Sequence, residues 1–139
     1  MKGILRKKNE NLTVRIDAQT RHALDLLART RRGSISDLVV EQVREVTARE
    51  LPKVTVQGKR VPLMDAVWDV FPQDRLVKLA RVAPQLLNDE EQKLWRVISE
   101  DRGYWTKASA PDFWMIRRHW KQIQQKVREY EESVSEVPK

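Results

Sequence analysis

The tightest constraint on the fold comes from seven residues near the amino end, Asn11-Leu12-Thr13-Val14-Arg15-Ile16-Asp17, in which polar and apolar side chains alternate. A period of two is the mark of a strand buried on one face only. It predicts Leu12, Val14 and Ile16 on one side and three hydrogen-bonding residues, Asn11, Thr13 and Arg15, on the other. After Asp17 the pattern turns helical. Asp17 is placed to cap a helix over about Ala18 to Arg32, with Ala23, Leu24, Leu27 and Ala28 on one stripe and Gly33 as its left-handed stop. Ser34 or Ser36 caps a second helix, in which Ile35, Leu38, Val39, Val43 and Val46 recur at helical spacing until Pro52 ends the pattern.

One strand and two short helices cannot bury two apolar stripes, and the strand is left with two unpaired edges. A second copy of the chain meets both needs. The two strands then pair antiparallel, their apolar faces rest on four helices, and their polar faces form one exposed two-stranded ribbon.

In their order and spacing, the strand NLTVRID, the helix QTRHALDLLARTRR, the turn GSIS and the helix DLVVEQVREV resemble the ribbon-helix-helix family of bacterial and phage DNA-binding proteins. The resemblance covers residues of about 10 to 50. It implies a mainly α fold, with one strand and two helices per subunit in an intertwined homodimer whose ribbon enters the major groove of double-stranded DNA. The base-reading positions it implies are Asn11, Thr13 and Arg15. Arg15 suits guanine, Asn11 suits adenine, and Thr13 suits a polar edge or a thymine methyl. It also implies phosphate binding by the amino end of the second helix, at Gly33, Ser34, Ile35 and Ser36, where free N–H groups and the positive dipole end converge. A serine there is equally explained as a plain helix cap.

Charge follows the same division. Residues 1–50 carry 11 basic and 7 acidic side chains, residues 51–101 carry 8 of each, and residues 102–128 carry 7 basic and 1 acidic, within a net charge of +7. A basic arm of Lys2, Arg6, Lys7 and Lys8 adds phosphate attraction, with Lys7 and Lys8 nearest the ribbon. Arg29, Arg31 and Arg32 fit either DNA or the dipole of the helix end they close.

Pro52 to Pro62 reads as a linker or a small hairpin around Gln57-Gly58, with the linker slightly preferred. Beyond it, helices are predicted at about Leu63 to Val70, Gln73 to Ala83, Asp89 to Asp101 and Pro111 to Glu132. The expected division is therefore 1–51 for DNA binding and dimerisation, 52–62 as connector, 63–133 as a small helical domain and 134–139 as a tail. Asn88 and Glu91 have capping-box spacing, which accounts for the acidic run Asp89, Glu90 and Glu91. All five tryptophans, at 68, 95, 105, 114 and 120, lie in this half. Most are expected in a core, with one or two exposed protein-binding anchors as the alternative. The basic face of the last helix, through Arg117, Arg118, Lys121, Lys126 and Arg128, offers a second phosphate track or a solvated surface.

An enzyme is not expected. There is no glycine-rich phosphate loop, His22 and His119 fall in separate segments, and Asp65 and Asp69, placed on one helix face, lack further ligands. No cofactor or metal is anticipated. The chain has no cysteine, and no apolar run approaches the roughly 18 residues of a membrane span. A cytoplasmic location is expected. The leading functional reading is a transcriptional repressor that occupies a two-fold or repeated operator. The alternatives are an antitoxin whose C-terminal domain binds a toxin, and an accessory protein of plasmid or phage partition or DNA transfer. Higher oligomers on DNA and a protein partner for the C-terminal domain remain open.

Overall fold

The computed structural model describes residues 9–135, so Lys2, Arg6, Lys7 and Lys8 lie outside the described residues. The fold is mainly helical and holds one two-stranded antiparallel sheet. The chain divides into two compact units, residues 1–49 and 50–139.

The first unit contains α1 (Ala18–Arg31) and α2 (Ile35–Glu50). Asn11 to Asp17, expected as a strand, has no regular secondary structure and pairs with no strand among the described residues. Asp17 occupies the N-cap of α1 in an extended conformation, and its carboxyl engages the Thr20 side chain, which lowers its pKa. The left-handed stop falls one residue earlier than expected: Arg32, at φ 55° and ψ 37°, takes that conformation, and Gly33 does not. Arg32 N–H donates to the Arg29 carbonyl at 3.2 Å and Gly33 N–H to the Ala28 carbonyl at 3.0 Å. This is a Schellman closure in which arginine, not glycine, bears the left-handed strain. Ser34 then caps α2, its Oγ accepting from the Asp37 N–H at 3.0 Å.

The second unit starts with β1 (Lys53–Val56) and β2 (Lys59–Pro62), paired in register from Lys53 opposite Pro62 to Val56 opposite Lys59. Pro52 to Pro62 is thus a hairpin, not an extended linker. Gln57 and Gly58 both take positive φ, at 50° and 78°, which gives the two-residue turn the twist that flanking strands require. Then come α3 (Leu63–Val67), α4 (Pro72–Val82), α5 (Asp89–Glu100), α6 (Phe113–Arg118) and α7 (Trp120–Ser135). The first of these is shorter than predicted, because Trp68 turns extended at ψ 135°, so Asp65 and Asp69 do not share a helix. The expected last helix is interrupted at His119 (φ −103°, ψ 20°), and its second part runs on to Ser135, into the predicted tail. At the break, the His119 ring Nδ1 lies 2.9 Å from the Met115 carbonyl, so this nitrogen carries the proton.

Two buried clusters hold the second unit together. Val77, Ile98, Ile116 and Ile123 are fully buried in the larger one, with Leu76, Leu94, Tyr104 and Val127 around them. Val54, Leu63, Val67 and Ala83 form the smaller, under the hairpin. Helix α4 serves both, directing Leu76 and Val77 to one cluster and Leu79 and Val82 to the other. The start of α5 is fixed by the reciprocal capping box expected from sequence: Asn88 Oδ1 accepts from Glu91 N–H at 2.8 Å, and Glu91 Oε1 from Asn88 N–H at 3.0 Å. Trp95, Trp105 and Trp120 pack partly buried against the larger cluster, and the Trp105 Nε1–H donates to the Ile98 carbonyl at 2.9 Å. Trp68 and Trp114 do not join a core; they are 56% and 59% exposed.

Candidate nucleic-acid interface

The first unit buries little by itself. Among its described residues only Ala28 and Leu38 are buried, whereas Leu12, Val14 and Ile16 are 84%, 70% and 45% exposed. Leu26, Leu27, Val39, Val40, Val43 and Val46 are also open. Each apolar side chain of this size forgoes on the order of 1.5–3 kcal/mol by remaining in water. The first unit's own described residues therefore do not cover the apolar side chains that its two helices carry.

Asn11, Thr13 and Arg15 are all exposed, and among the described residues none of their side chains makes a hydrogen bond or ion pair. They occupy alternate positions leading into the capped start of α1. At the α1–α2 junction, Gly33 N–H is already committed to the Ala28 carbonyl and the Asp37 N–H to Ser34 Oγ. The N–H groups of Ser34, Ile35 and Ser36 have no acceptor among the described residues. Gly33 is needed neither for its backbone angle nor for space, since a Cβ built there meets nothing within 4 Å.

The arginines at the end of α1 differ in availability. Arg29 pairs with Asp25 at 2.5 Å and Arg31 with Glu41 at 3.2 Å, while Arg32 has no carboxylate partner among the described residues. Arg32 therefore keeps its charge free beside the N–H groups that open α2.

In the second unit, sequence reading missed one group. Asp74, in the first turn of α4, is buried at 6% exposure. Its Oδ1 lies 3.4 Å from Arg117 Nε without hydrogen-bond geometry, because that N–H donates to the Phe113 carbonyl at 3.2 Å. Burial raises the Asp74 pKa, and the nearby Arg117 charge only partly offsets it. Asp69, by contrast, accepts from Lys78 Nζ at 2.8 Å and from Phe71 N–H at 3.0 Å, and Lys78 holds its pKa below the ordinary value. A first-turn aspartate normally reads as a solvated dipole partner, so no sequence signal marked Asp74 as buried.

His119 is half-buried, bonded to the Met115 carbonyl and tilted toward Tyr104 at 6.1 Å, whereas His22 is exposed on α1. Among the described residues no three His, Asp or Glu side chains gather as a metal site, and no helix is long and apolar enough to cross a membrane. No family model, curated protein or solved structure matches the chain.

Proposed function

We propose that the chain is a sequence-specific DNA-binding transcriptional regulator, a repressor by occupancy, which acts as a homodimer through a ribbon made from residues 11–17 of two subunits. The observation that carries this reading is the half-finished core of the first unit: Leu12, Val14 and Ile16 alternate along an unpaired segment next to two helices whose own apolar residues stand open. A second copy covers all three sets at once and supplies the missing strand. The same pairing turns Asn11, Thr13 and Arg15 outward as a six-residue polar face that suits the major groove.

Phosphate binding at the α1–α2 junction belongs to this reading. Unpaired N–H groups at Ser34, Ile35 and Ser36 and the free Arg32 beside them are what supports a phosphate oxygen there. The second unit has its own buried clusters, which favours a self-supporting domain over a tail that folds only on binding a toxin.

Selection of preferred sites from random duplex DNA tests the proposal. The full chain is expected to enrich a short palindromic or repeated motif, and Arg15→Ala to lose discrimination at one position of each half-site, about 1–3 kcal/mol per contact. An unchanged motif at unchanged affinity in Arg15→Ala would refute the ribbon assignment.

A further inference from the structure

We propose that the corner formed by the α3–α4 connection and α6 binds single-stranded nucleic acid. The rings of Trp68, Phe71 and Trp114 serve as stacking platforms for bases, and Arg75, Arg117 and Arg118 meet phosphates. This site lies wholly within the second unit and is independent of the ribbon in residues 11–17.

Three observations carry it. First, Trp68, Phe71 and Trp114 are 56%, 43% and 59% exposed, although the same unit has clusters where Trp95, Trp105 and Trp120 find cover. Second, each exposed ring carries a guanidinium on one face: Arg75 lies 4.9 Å from the Trp68 ring centre, Arg117 4.3 Å from Phe71 and Arg118 5.0 Å from Trp114. Stacking of this kind uses the flat face of the guanidinium and leaves N–H donors at its edge for a phosphate. Third, Arg117 joins the two elements. It stands on α6 three residues from Trp114, covers Phe71 at the head of α4, and is held by the buried Asp74 beneath.

The charge balance chooses the occupant. At the corner Asp69 is matched by Lys78 and Asp74 by Arg117, whereas the guanidinium groups of Arg75 and Arg118 have no carboxylate partner among the described residues and are left for an anion. The partner is therefore an anion that also offers flat apolar faces at short intervals. Single-stranded nucleic acid supplies one plane and one charge per unit, which is the combination that stacking platforms bind. Duplex DNA hides its base faces, and an acidic peptide supplies the charge with few planes.

The test titrates the full chain with a labelled oligothymidylate of about 20 nucleotides, longer than a site of this kind needs. Competitors are a duplex of equal length and polyglutamate. Expected are preference for the oligothymidylate over both, a loss of about tenfold for each of Trp68→Ala and Trp114→Ala, and substantial recovery with phenylalanine at the same positions. Both tryptophans are exposed, so circular dichroism and melting should not change in these variants. The proposal is overturned if the alanine variants bind undiminished, if phenylalanine recovers nothing, or if polyglutamate competes equally or better, the last outcome pointing to charge alone or to an acidic protein.

Discussion

Asp74 is buried beneath Arg117 and Phe71 with one carboxylate oxygen unbonded, and its pKa is raised by that burial. The folded chain therefore keeps this proton at a pH where the unfolded chain has released it. The contribution of Asp74 to stability falls as pH rises from the ordinary value of 3.8 through the raised one. Asp74→Asn keeps the shape and removes the buried charge, while Arg117, partly exposed, stays solvated. At neutral pH the variant is expected to be more stable by on the order of 1 kcal/mol. The difference should vanish in acid, where the native carboxyl is protonated. Melting curves of the two proteins across this pH range check it, and a variant less stable at neutral pH would show that the Arg117 attraction outweighs the burial cost.

At the scale of elements, turn chemistry sets the hairpin. Gln57 is left-handed at φ 50° where asparagine is favoured, and Gly58 follows at φ 78°. Gln57→Asn is expected to stabilise the fold by about 0.5 kcal/mol, a rise of one or two degrees in Tm. No gain would mean that the Gln57 side chain makes a compensating contact. Helix starts were largely legible, because Asn88 and Ser34 cap the heads of apolar patterns with their side chains and Asp17 holds the N-cap position of α1, although its side chain makes no cap hydrogen bond. Helix ends were less so. The left-handed residue at the close of α1 is Arg32 although glycine stands next to it, and α3 stops at Val67 although Trp68 to Val70 continues an apolar pattern. The division of the last helix at His119, whose ring lies against the Met115 carbonyl, is marked by no proline, glycine or change of periodicity in the sequence. At the candidate corner, five tryptophans could be counted in advance. Which two stand in solvent is decided by the folded positions of α3 and α6.

At the scale of the molecule, the two units differ in completeness. The second buries Val77, Ile98, Ile116 and Ile123 fully, whereas the first leaves Leu12, Val14, Ile16 and Val43 open to water. The alternation in residues 11–17 was legible in the sequence, and its apolar side chains Leu12, Val14 and Ile16 stand exposed in the described structure, where the segment forms no strand. The most direct test of the account is the mass of the full chain in solution by sedimentation equilibrium, alone and with Val14→Asp. The unaltered chain should sediment at twice 16.4 kDa at micromolar concentration, and Val14→Asp, which puts a charge on the apolar face of each strand, at 16.4 kDa. An unaltered chain that remains at 16.4 kDa, or a dimer that Val14→Asp leaves intact, would contradict it.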